Sequence, residues 1–325
     1  MLKIGMLSKW HVHAGGYAKK VQELGHKVSL VWDDNEERGK KWADELGCPY
    51  YSDLSKALAT DIDGVIVDNE TSRHRDVMVA AAKAGKHIFT EKTIAPTVAE
   101  ALEIKAAVDA AGVIFTISYP SRTSPVVQFA KKMVDNGDLG KITLARFRNA
   151  HSGSIDNWLP QYWYVEADAC GGAMMDLGCH PMYIASHLFG KPARITSMYN
   201  DLTNRGVDDN AVNLIEFTSQ AIAIVESGFV TPFSPWMFEI YGTEGTILGN
   251  IGKIKIQTKK TGAYTSEWLD VTKLPKPLNG PMESWFSAIE NGTPVLYGMD
   301  DAIALAELLE NAYISHKEQR TVAIK

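Results

Sequence analysis

The feature that most restricts the fold is an alternation that runs through the first 120 residues. Short apolar runs lie at 2–7, 27–32, 64–67, 86–90 and 113–118, and the segments 14–24, 36–46 and 98–110 between them carry helical periodicity. Strands separated by helices cannot pair through tight hairpins, so they must run parallel with helices packed over both faces of the sheet. Gly64-Val65-Ile66-Val67 shows no polar alternation and reads as a strand covered on both sides. The first half is therefore a doubly wound parallel α/β sheet, in which ligands gather at the carboxyl ends of the strands.

The texture changes after Gly140-Lys141. Strand-like segments at 142–149, 194–201, 211–218, 221–230, 236–242, 246–250 and 253–258 follow one another with few helices between them. They predict an open, mostly antiparallel sheet in an α+β domain, one face toward the core and the other toward solvent or a partner. At 325 residues the chain is long enough for two cores, and the division is expected as 1–120 and 121–325. Helices at 283–291, with Trp285, Phe286 and Ile289 on one stripe, and at 300–318 close the chain as structural elements.

Composition narrows the partners. Hydrophobic residues make up 45% and charged residues 22%, the balance of an ordinary globular protein. A net charge of -6 argues against binding to a phosphate backbone, so no nucleic acid partner is expected. No run reaches the length of a membrane span and no signal peptide precedes the first strand, so a cytoplasmic protein with no membrane partner is expected. Cys48, Cys170 and Cys179 suit a reduced compartment, and no Cys/His spacing matches a structural zinc site.

Chemistry concentrates in Gly171-Gly172-Ala173-Met174-Met175-Asp176-Leu177-Gly178-Cys179-His180, read as a helix entered through a glycine pair. The four-residue interval puts the Asp176 carboxylate beside the His180 imidazole on one face, and Gly178 leaves room for a close neighbour. A histidine titrates near neutral pH and is the usual proton acceptor in an alcohol oxidation. The pattern resembles the second signature of the Gfo/Idh/MocA family of nicotinamide-dependent sugar and polyol dehydrogenases. Glu91-Lys92-Thr93 resembles the first, with threonine in place of the customary proline. The resemblance runs over essentially the whole chain.

That resemblance implies an N-terminal Rossmann domain, a C-terminal substrate and oligomerisation domain, and NAD(P)-dependent hydride transfer at a secondary hydroxyl of a sugar, sugar acid or cyclic polyol. His180 would take the hydroxyl proton, Asp176 would position substrate and imidazole, and Lys92 would polarise the oxygen. It also implies a homodimer or homotetramer formed through the C-terminal sheet. Two rival readings stay open: glycoside cleavage by transient oxidation and elimination, and a non-catalytic sugar or nucleotide sensor.

The glycine fingerprint of the first turn falls on Ser8, Trp10 and His13, within Ser8-Lys9-Trp10-His11-Val12-His13, so the pyrophosphate must be approached differently, with Lys9 and the helix end at Gly15 and Gly16 offering charge and amides. Ser8, Trp10 and His11 are expected to contact the cofactor. Asp33 and Asp34 end the second strand where an acid binds the adenine-ribose hydroxyls; a carboxylate there repels a 2'-phosphate, favouring NAD over NADP. In the loop Asp68-Asn69-Glu70-Thr71-Ser72-Arg73-His74, Asn69 is carried over as a cofactor contact and His74 as a structural residue. Glu91 and Lys92 sit at the end of the strand 86–90, over the cofactor. His11 and His13 form an HxH pair, but with no third ligand in the sequence no metal is expected.

For the substrate, the segment Tyr119-Pro120-Ser121-Arg122 resembles the family's hinge, and Tyr119 is a candidate contact. The segment Asn157-Trp158-Leu159-Pro160-Gln161-Tyr162-Trp163-Tyr164 offers ring faces that stack on sugars, so Trp158, Tyr162 and Trp163 are candidates, equally readable as a core cluster. His151 at the end of the strand 142–149 completes the set.

Overall fold

The computed structural model describes residues 1–234, 236–250, 253–260, 269–270 and 274–324. The chain forms two compact units, Met1–Ser118 with Asn279–Ala306, and Tyr119–Leu278 with Glu307–Lys325. A single crossing after residue 120 does not allow for the return of Asn279–Ala306 to the first unit. The reason is an apolar stripe. Met282, Trp285 and Phe286, on helix Pro281–Asn291, pack into one core with Ile4, Met6, Val31, Ile66 and Phe89. Gly64 is glycine because a Cβ there would lie 2.9 Å from the Trp285 ring. Periodicity revealed the stripe but not the sheet that it covers.

The sheet of the first unit contains β1 (Lys3–Leu7), β2 (Lys27–Trp32), β3 (Tyr50–Tyr51), β4 (Gly64–Val67), β5 (His87–Thr90) and β6 (Phe115–Ile117). Their spatial order is β3-β2-β1-β4-β5-β6, and every pairing is parallel. This is the doubly wound dinucleotide-binding order, reversing direction beside β1. Local chemistry sets the helix ends. Asn35, Asp53 and Thr97 accept backbone N–H groups as N-caps, and Gly47 and Gly112 take left-handed C-caps. Two residues long, β3 is too short to leave a periodic signal.

The second unit contains β7 (Ile142–Ala150), β8 (Pro192–Asn200), β9 (Asn210–Phe217), β10 (Ile222–Gly228), β11 (Met237–Gly242), β12 (Gly245–Asn250), β13 (Lys253–Thr258), β14 (Leu269–Asp270) and β15 (Val322–Ala323). They form one sheet in the order β14-β13-β12-β11-β7-β10-β9-β8-β15. The pairings are antiparallel except at the centre, where β7 and β10 run parallel. Strict alternation divides the faces. Ala145, Phe147, Ile195, Ile215, Ala223 and Val225 are buried, whereas Leu144, Met198, Val212, Leu214 and Ile222 point outward and are exposed. Among the described residues no helix is long and apolar enough to cross a membrane.

Candidate active site

In the first unit the expected cofactor residues gather where β1, β2, β4 and β5 end. Ser8 follows β1 with φ of +76°, the left-handed conformation that the first fingerprint glycine normally supplies. The turn is thus kept without the glycine. The Ser8 hydroxyl accepts the Trp10 amide at 3.1 Å and donates to Asp33 at 3.2 Å, so its side chain fastens the loop. Trp10 and His11 are buried. Gly15 and Gly16, in the first turn of helix Ala14–Glu23, have nothing within 4 Å of where a Cβ would lie, so the space before them is open.

The two acids after β2 divide their work unequally. Asp33 is fully buried, and its carboxylate accepts the Lys9 and Asn35 amides at 2.9 Å each and the Arg38 guanidinium at 2.9 and 2.6 Å. Burial alone would raise its pKa, but Arg38 and the two amides outweigh burial and hold it below the ordinary value. A carboxylate so engaged braces the loop, and Gly39 allows it, since a Cβ there would lie 2.6 Å from the Asp33 Cβ. Asp34 is exposed and pairs with Arg38 at 3.1 Å and with Arg73. Of the two acids, Asp34 is the one that a ribose can reach.

Lys92 is 5% exposed at the carboxyl end of β5, and the Lys92–Thr93 peptide is cis. Glu91, also buried, accepts the Lys92 amide at 2.9 Å, the Tyr17 hydroxyl, and His13 Nδ1 at 2.7 Å, with His11 Nε2 at 3.8 Å. Burial would raise the Glu91 pKa, yet the charges of His11, His13 and Lys92 and the His13 hydrogen bond hold it well below the carboxylate range. Asn69 is buried and donates to the Glu70 carbonyl at 2.9 Å. His74 ties two loops, with Nδ1 2.7 Å from the Thr93 carbonyl and Nε2 3.1 Å from that of Asn69. Burial lowers its pKa, so a neutral ring donates to one of them, the shorter contact to Thr93 being better placed.

In the second unit the glycines of the signature have steric reasons. A Cβ on Gly172 would lie 1.9 Å from the Asp208 carbonyl oxygen, and Gly171 has φ of +150° with the Tyr313 hydroxyl 2.1 Å from its Cβ position. The Asp208 carboxylate accepts the amides of Gly172 and Met174 at 2.8 and 2.7 Å and the Tyr313 hydroxyl at 2.8 Å. Clamped in this way, the chain enters a π-helical turn, Met174–Gly178, and then the α-helix Cys179–Phe189. The expected single α-helix is therefore wound wider over the residues that carry Asp176, as π-turns at functional sites often are. Gly178 makes room for the Met174 thioether, whose Cε lies 2.1 Å from its Cβ position.

Asp176 and His180 are both partly exposed. Tyr183, one turn after His180, was not read from the sequence as a site residue. Its hydroxyl lies 2.8 Å from His180 Nδ1 and also accepts the Ser121 amide at 3.2 Å. Either atom can be the donor in the contact with Nδ1, so Tyr183 holds the imidazole ring in place. Spacing of i and i+3 was the available signal, but tyrosine at that interval is commonplace.

The expected substrate residues separate by exposure. Tyr119 is fully buried and stacks on Tyr183, with ring centroids 4.2 Å apart, so it stands behind the imidazole. Trp163 is also buried, which leaves Trp158, 55% exposed, and Tyr162 as the rings open to solvent. His151 stacks on Phe229 at 5.0 Å and lies 4.5 Å from the Trp158 ring. Burial lowers the pKa of His151, while the Asp176 charge opposes this, so the carboxylate faces the same neighbourhood. Asn149 adds a link, donating to the Leu177 carbonyl at 3.3 Å.

The model of an oxidoreductase family with an NAD-binding Rossmann fold matches residues 5–119, and that of the Gfo/Idh/MocA C-terminal domain matches residues 127–248. A 1,5-anhydro-D-fructose reductase of Ensifer adhaerens is 28% identical over 301 residues, covering 88% of each chain. The scyllo-inositol 2-dehydrogenase (NAD(+)) of Bacillus subtilis is 27% identical over 296 residues, covering 86% of this chain and 84% of the relative. In fold, the chain matches a levoglucosan dehydrogenase in complex with NADH with a TM-score of 0.86 at 21% identity, over 100% of this chain and 99% of the other. With both halves matched, this chain belongs to the Gfo/Idh/MocA family of oxidoreductases.

Proposed function

We propose that the protein is an NAD-dependent dehydrogenase acting on a secondary hydroxyl of a sugar, sugar acid or cyclic polyol. The observation that carries the reading is Lys92: a lysine 5% exposed at the carboxyl end of a parallel strand, where such sheets bind their ligands. The residues present fit a dinucleotide. Ser8 keeps the left-handed turn, the first turn of helix Ala14–Glu23 is open, and Asp34 is exposed for the ribose hydroxyls. Ser8, Trp10, His11, Asn69 and Glu91 would line or brace that site, with Asp33 acting through the loop that it fastens. When bound, NAD supplies the hydride acceptor.

The chain's own residues handle the proton and the charge. The Lys92 ammonium steadies negative charge developing on the hydroxyl oxygen, and His180 takes the proton while Tyr183 holds its ring through Nδ1. Asp176 holds the substrate and the imidazole in place. Trp158 and Tyr162 offer exposed ring faces for a sugar, and His151 offers an edge beside Trp158. In this reading the first unit holds the cofactor and the second the substrate. Cys48, Cys170 and Cys179 are free thiols, which suits a cytoplasmic setting.

We also infer self-association through the outward face of the second sheet. Its exposed Leu144 and Ile222 are cross-strand partners, as are Val212 and Met198, a row of apolar side chains that a second copy would cover. Sedimentation equilibrium tests this, with a dimer or tetramer expected and a monomer at micromolar concentration contradicting it.

The activity is tested by absorbance at the NADH band with purified protein, each dinucleotide and a panel of cyclic polyols, sugars and sugar acids. Net NADH formation with at least one secondary alcohol is expected. Glycoside cleavage without net NADH would replace the dehydrogenase with transient oxidation and elimination. No turnover with any compound, despite dinucleotide binding, would leave a sensor.

A further inference from the structure

We propose that His11, His13 and Glu91 form a binding site for a divalent transition-metal ion of the zinc class. Sequence offered the HxH pair and no third ligand, but the fold brings Glu91, at the end of β5, against the loop after β1. One ligand atom from each residue lies within 4.8 Å of the other two. Glu91 is 2.7 Å from His13 Nδ1 and 3.8 Å from His11 Nε2. Bonds of zinc length in a tetrahedral arrangement place neighbouring donors roughly 3.3 Å apart, so small side-chain rotations close the site. Two imidazoles and one carboxylate are the donor set of zinc sites that keep a fourth position open, and nitrogen donors select against magnesium and calcium.

A second observation concerns charge. Asp68, at the end of β4, is fully buried, and neither of its carboxylate oxygens has a hydrogen-bond partner. Its backbone carbonyl accepts the His11 amide at 3.0 Å, which places this unsatisfied acid beside the loop of His11 and His13, where a dication would relieve its burial penalty. The side chain of His13 is exposed, giving an ion a way in. Tyr17 and the Lys92 amide already fix the Glu91 carboxylate, as outer partners do in metal sites.

Binding requires proton movements that can be measured. Ligation through His13 Nδ1 breaks its hydrogen bond to Glu91: the hydrogen moves to Nε2 of a neutral ring, and an imidazolium releases it to solvent. Ligation through His11 Nε2 puts the ring hydrogen on Nδ1, so the 3.2 Å contact from the His13 amide opens. The inference does not rest on the hydride-transfer reading, because its test needs neither substrate nor dinucleotide.

The test is calorimetric titration of zinc ion alone into the chelator-stripped, untagged full-length protein, repeated in two buffers of different ionisation enthalpy. One ion per chain is expected, and the dependence of the heat on buffer counts any protons released. His13→Ala and Glu91→Gln should each weaken binding at least tenfold, by analogy with losses at outer-shell partners. Cobalt ion should give a visible absorption band that both variants lose. Absence of binding tighter than millimolar, or affinity unchanged in His13→Ala, would overturn the site. Should Glu91→Gln fail to fold by circular dichroism, His13→Ala decides, because its side chain is exposed.

Discussion

A histidine proposed as a base works only when its ring is held in place, and at His180 the residue that holds it is Tyr183. The phenol oxygen is fixed by the Ser121 amide and meets Nδ1 at 2.8 Å. Tyr183→Phe should therefore lower kcat by roughly tenfold to a hundredfold, a loss of about 1.4 to 2.7 kcal/mol, with KM for NAD unchanged. Steady-state kinetics with saturating substrate checks it; an equal loss in cofactor binding would assign Tyr183 to packing. At this scale the sequence was legible for residues whose type is rare in their setting. Lys92 and the Asp176 to His180 interval stood out, whereas Tyr183 carried no signal until its hydroxyl was placed. Asp33 and Asp34 looked interchangeable in the sequence, and only the Arg38 hydrogen bonds separate the buried brace from the exposed acid.

The element that organises the second unit is the turn Met174–Gly178, and what holds it is a backbone approach that only glycine allows. At Gly172 the obstacle is the carbonyl oxygen of Asp208, 1.9 Å from the Cβ position, and a backbone atom cannot swing aside as a side chain can. Gly172→Ala should cost about 3 kcal/mol, at the upper end for overpacking, read as a lowered urea midpoint. Gly15→Ala, with open space around its Cβ position, serves as the comparison and should change stability far less. A stability loss at Gly172 no larger than at Gly15 would contradict the clamp. The sequence showed the glycine pair but read one α-helix through it, because the widened turn depends on Asp208 and Tyr313, which are remote in the chain. The parallel pairing of β7 with β10 was hidden for a similar reason: alternation assigns a residue to a face of a sheet but says nothing of strand direction.

For the molecule as a whole, several buried or half-buried histidines contribute to its response to acid. Burial lowers the pKa of His26, His74, His87 and His151, and at His187 burial, with the charges of Arg122 and Lys131, lowers it from 6.5 to about 4. These rings are neutral in the folded chain, whereas the unfolded chain takes up protons first. The stability is therefore complete above pH 6.5 and is lost as the pH falls toward 4, at no more than about 1.4 kcal/mol per pH unit for one group, and less for the partly exposed His187. Urea unfolding at a series of pH values in that window should show the decline, and His187→Phe should flatten it; an unchanged slope would remove His187 from the account. The two-sheet plan at this scale was readable from periodicity, because each pattern runs across many residues. The return of Asn279–Ala306 was not, since an apolar stripe does not name the surface that it meets. The central proposal is that Lys92 and His180 serve one proton transfer, and pre-steady-state hydride transfer in a double-mutant cycle tests it most directly. Lys92→Met and His180→Asn should each slow the step by roughly a hundredfold or more, and the double variant should be little slower than the worse single one. Losses that multiply in full, or a step left intact by either substitution, would contradict it.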